Sequence, residues 1–188
     1  MSQARLLTEA VAALEAAGVG YVLTGSLVSS LQGEPRATHD VDIVIEVVLD
    51  AVKELASAFG TPRYHFDELA ARAAMRERGM FNLLDTTTGD KVDFWALTDS
   101  EFDASRFARR IGTDAFGPLV YVTTPEDTIL QKLRWARDSG GSERQLRDAV
   151  GVFELQGEAL DMGYLEDWAD RLGVSDLLET VRDAAQTP

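Results

Sequence analysis

The stretch Tyr21-Val22-Leu23-Thr24-Gly25-Ser26, followed after thirteen intervening residues by Asp40-Val41-Asp42-Ile43-Val44-Ile45, decides how the chain is read. Two apolar runs flank a Gly-Ser turn and carry an Asp-x-Asp pair at the start of the second run. In a strand, residues i and i+2 share a face. Asp40 and Asp42 therefore point one way, and Val41, Ile43 and Ile45 point the other way and can be buried. Carboxylates about 7 Å apart along one strand repel each other unless a cation lies between them. Hard divalent ions such as Mg²⁺ take carboxylate oxygens, and paired ions are a common device for phosphoryl and nucleotidyl transfer. Gly25 lets the backbone approach a ligand without a Cβ in the way. A short helix over Ser26–Gln32 would turn its free N–H groups and positive end toward an anion. The bland alternative is a turn and an edge strand with two solvated aspartates.

Composition narrows the chemistry. The chain has 188 residues, 45% of them hydrophobic, enough for one domain or a domain with a small appendage. There are no cysteines and only two histidines, His39 and His65. That excludes disulfides and thiolate metal sites and leaves too few histidines for a His-built zinc site. No run resembles a signal peptide or a membrane span, so the expected location is cytoplasmic. The net charge of −14 opposes extended DNA or RNA tracks.

Outward from the motif, the pattern alternates helices and strands. Helices are expected over Arg5–Ala17, Asp50–Phe59 and from Asp67 to about Arg78, the last with Asp67 as N-cap and Gly79 at C′. Strands are expected over Gly20–Thr24, Asp40–Glu46, Phe81–Asp85 and Lys91–Leu97, the last two joined by Thr86–Asp90 as a hairpin. In that second hairpin strand Asp93 and Trp95 share a face opposite Val92 and Phe94. Asp93 is thus a third candidate carboxylate, costly to bury without a metal or cation partner. Ile111–Val122 reads as two short strands about Gly117-Pro118. Thr124 then caps a helix that has Pro125 at N1 and Glu126 and Asp127 in its first turn. After Ser139-Gly140-Gly141 the chain is helical to its end, with Ser142 expected to cap the helix from Glu143. Arg36 either neutralises a phosphate, fixes its loop against a carboxylate, or is an ordinary surface arginine. Lys132 reads equally as a snorkelling helix lysine, and Asp148 as a partner of Arg144 or a solvated residue. Arg72, Arg76, Arg78, Arg106, Arg109 and Arg110 are candidates for a basic rim, with solvated helix faces as the alternative.

Hydrophobic-Gly25-Ser26, the spacer, Asp40-x-Asp42 and the later Asp93 resemble the polymerase-beta-type nucleotidyltransferase superfamily. Arg36-x-Thr38-x-Asp40-x-Asp42, Pro125-Glu126-Asp127 with Lys132, and Arg147-Asp148 are similar to minimal bacterial nucleotidyltransferases related to abortive-infection toxins of toxin–antitoxin pairs. Arginine stands at 147, where lysine is common. The resemblance implies an α/β (α+β) fold, with a mixed sheet flanked by helices as the core over residues 1–122. A helical lobe over 123–188 would complete the nucleotide site. It further implies Asp40, Asp42 and Asp93 as catalytic residues and as ligands of two Mg²⁺ or Mn²⁺ ions. Gly25, Ser26, Arg36, Thr38, Lys132 and Asp148 would serve as nucleotide-binding residues. The implied reaction moves a nucleoside monophosphate from an NTP to an acceptor hydroxyl on RNA or protein, with a cognate antitoxin as a further partner. The alternative is a non-catalytic module of the same fold that binds a nucleotide or a partner protein.

Overall fold

The computed structural model describes residues 2–185, and the chain divides into two compact units. The first unit comprises the residues up to Thr24 together with Thr38–Val122. The second comprises Gly25–Ala37 together with the residues from Thr123 onward.

The first unit is built on a seven-stranded mixed sheet in the order β3 (Tyr64–Phe66), β4 (Met80–Asp85), β5 (Lys91–Ala96), β2 (Asp40–Ile45), β1 (Tyr21–Thr24), β7 (Val120–Val122), β6 (Ile111–Thr113). Helix α1 (Ser2–Ala16) buries Leu6, Leu7, Ala10, Val11 and Leu14, a stripe at helical spacing. Gly18, at φ +65°, lets the chain reverse into β1 (Tyr21–Thr24), in which every residue is buried. Strand β2 (Asp40–Ile45) runs antiparallel to β1 and parallel to β5 (Lys91–Ala96). Helix α3 (Ala51–Ala58) follows β2 along the chain. Strands β4 (Met80–Asp85) and β5 form the expected hairpin.

Strand β3 (Tyr64–Phe66) was not expected from the sequence. It is three residues long and is held against β4 by the ladder and by an aromatic cluster. Phe66 meets Phe81 edge-on, and Phe81 stacks on Phe94 with ring centroids 5.1 Å apart. The far edge is closed by β6 (Ile111–Thr113), antiparallel to β7 (Val120–Val122), which pairs parallel with β1.

One detail of helix termination departs from expectation. In α4 (Glu68–Glu77) Asp67 caps as expected, but the left-handed residue at the end is Arg78, at φ +54°, rather than Gly79. A left-handed non-glycine residue costs about 1–2 kcal/mol. The Arg78 guanidinium offsets this by donating to Leu97 O and Asp99, both at 2.8 Å. The segment from Phe102 is a helix, α5 (Glu101–Ala108), capped by Ser100, whose hydroxyl accepts from the Asp103 amide.

The second unit is helical. It contains α2 (Gly25–Gln32), α6 (Pro125–Asp138), α7 (Glu143–Gln156), a 3₁₀ turn (Gly157–Ala159), α8 (Met162–Leu172) and α9 (Ser175–Ala185). Thr124 caps α6 as expected, accepting from the Asp127 amide. Ser142 precedes α7 but makes no side-chain cap bond. Helix α2 packs against α6 and α7. Gln32 Nε2 donates to Thr123 O at 2.7 Å, and Gln156 Nε2 donates to Gln32 O at 2.7 Å. At Gly33 a Cβ would lie 2.5 Å from Val152 N, so the chain crosses α7 in backbone contact. No helix among the described residues is long and apolar enough to cross a membrane.

Candidate active site

In the first unit the in-register pairing of β2 with β5 decides which side chains meet. Asp42 lies directly across from Asp93, and Asp40 across from Lys91. Thr24 on β1 is the register partner of Asp42, and Asn82 on β4 is that of Asp93. Thr24, Asp42, Asp93 and Asn82 therefore form one polar row across four strands. The opposite face carries Val41, Ile43, Val92 and Phe94, all with no measurable exposure. This is the alternation the sequence encodes, and it leaves the aspartates nowhere to go but onto the other face.

Lys91 and Trp95 both reach these carboxylates. Lys91 Nζ is 2.8 Å from Asp93 Oδ2 and 3.7 Å from Asp40 Oδ1. Its hydrogen bond to Asp93 raises its pKa above the ordinary lysine value against the opposing effect of burial, and attraction to Asp93, Asp40 and Asp42 adds to the rise. Trp95, on the same face and 37% exposed, donates its indole N–H to Asp42 Oδ1 at 3.1 Å. Asp93 is 7% exposed, and its Oδ1 is buried without a hydrogen-bond partner. A bare buried carboxylate oxygen costs on the order of 1–3 kcal/mol or more. Such an atom fits a ligand position for a hard cation, as does the adjacent Asp42 carboxylate. Among the described residues, however, no three carboxylates or histidines converge as a closed ligand set. The two-carboxylate pairing fits a divalent ion, and Lys91 stands where additional positive charge would be needed.

The second unit gathers most of the residues expected to bind nucleotide. Gly25 opens α2 at φ +73°, a conformation suited to glycine. The Arg36 guanidinium grips Asp148 in a bidentate pair, Nε to Oδ1 and Nη2 to Oδ2, both at 2.8 Å. Its Nη2 also donates to Ser26 Oγ. Lys132 Nζ bonds Asp148 Oδ2 at 2.6 Å, and Ser29 Oγ lies 3.5 Å from the same oxygen.

Lys132 is 1% exposed, so it does not snorkel. Asp148 pairs with Arg36 and Lys132, not with Arg144. Burial pushes the Asp148 carboxyl up, but the hydrogen bonds from Arg36 and Lys132 outweigh it and hold its pKa below the ordinary value. The bond to Asp148 likewise raises the Arg36 pKa. Two cations thus converge on one buried carboxylate. Thr38 is not part of it: its hydroxyl donates to Asp40 O in the first unit.

The arginines considered for a basic rim are largely engaged in structure. Arg106 is buried and ion-paired with Asp103, Arg72 pairs with Glu68 one turn away, and Arg110 lies 4.4 Å over the Phe107 ring.

Lys91 and Ser29 were missed in the sequence. Lys91 stands two residues before Asp93, so the same period of two that placed Asp93 also places a cation beside it. Ser29 follows Ser26 by one helical turn and shares its face.

No protein-family model matches the chain, and no curated protein sequence matches it. Among solved structures it is similar to an antigenic nucleotidyltransferase-like protein from Paracoccidioides brasiliensis. That likeness has a TM-score of 0.56 at 17% identity and covers 95% of this chain and 93% of the other. It is also similar to the antibiotic-resistance factor ANT(2'')-Ia, with a TM-score of 0.48, 12% identity and coverage of 97% and 94%. A tRNA-processing enzyme in its apo form gives a TM-score of 0.38 at 18% identity, over 95% of this chain and 56% of that one. The first of these establishes the fold: the chain has an α/β fold with a mixed sheet, like that of the nucleotidyltransferase-like protein.

Proposed function

We propose that this protein is a metal-dependent nucleotidyltransferase that moves a nucleoside monophosphate from an NTP to an acceptor hydroxyl. The observation that carries the reading is the in-register pair Asp42–Asp93, with a buried Asp93 oxygen that has no hydrogen-bond partner. Asp40 and Asp42 would hold two Mg²⁺ or Mn²⁺ ions, and Asp93 would hold one of them. When bound, these ions supply Lewis acidity toward the reacting phosphate. Asp93 also takes the proton of the acceptor hydroxyl as its oxygen bonds to the α-phosphorus and the bond to pyrophosphate breaks. Gly25, Ser26, Arg36 and Lys132 are the residues assigned to the phosphate chain, where fixed positive charge opposes the charge developing on pyrophosphate. Asp148 orients Arg36 and Lys132.

We assign the acceptor to RNA or protein and the role to a toxin–antitoxin component with a cognate antitoxin. The support is that Arg36, Lys132 and Asp148, three positions of the motif similarity, join in one hydrogen-bonded network. A second reading, a non-catalytic module that binds a nucleotide or a partner protein, is favoured by the Lys91 ammonium lodged against Asp40 and Asp93.

One experiment separates the two. The protein is incubated with each labelled triphosphate, Mg²⁺ or Mn²⁺, and candidate RNA and protein acceptors. Label should move to an acceptor only with metal. Triphosphate binding that is equally tight in chelator, with no label transferred, would establish the non-catalytic reading.

A further inference from the structure

We infer that Lys91 is a built-in counter-cation of the carboxylate row, and that a divalent ion must displace its ammonium to bind. The inference rests on the metal-dependent reading of the site. In this structure the ammonium is in hydrogen-bond contact with Asp93 and within ion-pair distance of Asp40, at 2.8 and 3.7 Å. It thus engages two of the three carboxylates assigned to metal. Its place is fixed by register: Lys91 is the partner of Asp40 and stands two residues from Asp93 on the same face.

The remaining carboxylate, Asp42, is held differently, by the Trp95 indole N–H. A neutral N–H donor adds no net charge, whereas Lys91 brings a full positive charge to Asp40 and Asp93. The second, independent sign that the row has an unfilled position is Asp93 Oδ1, buried and without a hydrogen-bond partner while Oδ2 is bound to Lys91. Lysine suits a displaceable role. Its ammonium is a single charge on a flexible four-carbon stem, and the Lys91 side chain is 32% exposed, which leaves it a route toward solvent.

The consequence is competition. With no nucleotide present, a divalent ion must break the Lys91–Asp93 bond before it can use both Asp93 oxygens. The protein should therefore bind free metal weakly. A triphosphate that brings its own metal should bind far better than metal alone, because its negative charge offers the released ammonium a new partner.

The test is Mn²⁺ affinity without nucleotide, measured by electron paramagnetic resonance and by calorimetry, on the wild-type protein, K91M, K91R and D93N. K91M should bind Mn²⁺ about tenfold more tightly than wild type, the size of one charge-assisted hydrogen bond. K91R should bind no more tightly than wild type, and D93N more weakly than K91M. Thermal unfolding provides the control for folding: K91M should melt lower than wild type in chelator and gain more on adding Mn²⁺. Equal or weaker Mn²⁺ binding by K91M, with measurable binding by wild type, would overturn the inference and leave the metal reading standing. No Mn²⁺ binding by wild type or by a folded K91M would overturn both.

Discussion

Lys132 and Asp148 share a 2.6 Å charge-assisted hydrogen bond between side chains that are 1% and 6% exposed. Lys132 is shut away from water, and the Asp148 carboxylate is a close counter-charge for its ammonium. Removing one partner of a buried pair is strongly destabilising, about 3–5 kcal/mol, because the other charge is left uncompensated. Asp148→Ala takes this carboxylate from both Lys132 and Arg36, though Arg36 can turn partly to solvent. Urea unfolding should show a loss of about 3 kcal/mol. Lys132→Met, which leaves Asp148 its bidentate bond to Arg36, should cost distinctly less.

The same pair sets an acid limit. Asp148 has a lower pKa folded than unfolded, so the unfolded chain binds its proton first as pH falls. Its stabilising effect is complete above the unfolded value of about 4 and is lost as pH falls through the lower folded value. Asp85 is also held low, by Arg63 and Thr87, so the informative quantity is the difference between variants. The stability gap between wild type and Asp148→Asn should be widest near neutral pH and close below about pH 4. A gap independent of pH would mean the carboxylate is not the group responsible.

Asp93→Asn nearly conserves volume and removes the charge. The fold should persist, with a circular dichroism spectrum like that of wild type, while nucleotidyl transfer falls at least about a hundredfold, the usual scale for a lost general base. Most triphosphate affinity should remain. Asp42→Asn should lower both binding and rate, since that carboxylate is assigned to both ions. An unchanged transfer rate in Asp93→Asn would reduce Asp93 to a strand residue paired with Lys91.

Gly33 offers a test of packing that involves no charge. A methyl group there would meet Val152 N at 2.5 Å and Gly151 C at 2.6 Å, backbone atoms that cannot rotate away. Gly33→Ala should cost about 1–3 kcal/mol, the usual range for overpacking. Gly141→Ala has nothing within 4 Å of the added Cβ. At φ +99° it should show only the smaller penalty of backbone strain. Paired thermal melts would rank the two.

Much of this was legible in the sequence because it depends on local period. The alternation Asp40-Val41-Asp42-Ile43 and the parallel pattern Lys91-Val92-Asp93-Phe94 fix which side chains share a face before any tertiary contact is known. Caps at Asp67 and Thr124 were legible for the same reason. What the sequence hid depends on partners distant along the chain. Strand β3 exists only because β4 and the ring of Phe81 lie beside it. The pairing of Arg36 with Asp148, 112 residues apart, was one of three open readings until the fold brought them together. Lys91 was overlooked because a lysine at the start of a hairpin strand ordinarily faces water, and only the Asp40 register partner gives it a second carboxylate.

The excursion of Gly25–Ala37 out of the sheet unit and back has a consequence for how the protein can be taken apart. The polypeptide crosses between the two compact units three times, at Thr24–Gly25, Ala37–Thr38 and Val122–Thr123. A stop codon after Val122 would not release an independent module. It would leave α2, with Val28, Ser29 and Gln32 buried, stripped of the helices it packs against. Nor could a gene fragment beginning at Thr123 supply its own missing helix. A cut after Val122 thus keeps every part of the first unit yet strands Gly25–Ala37 with it, whereas a cut anywhere between Gly25 and Val122 divides both units at once.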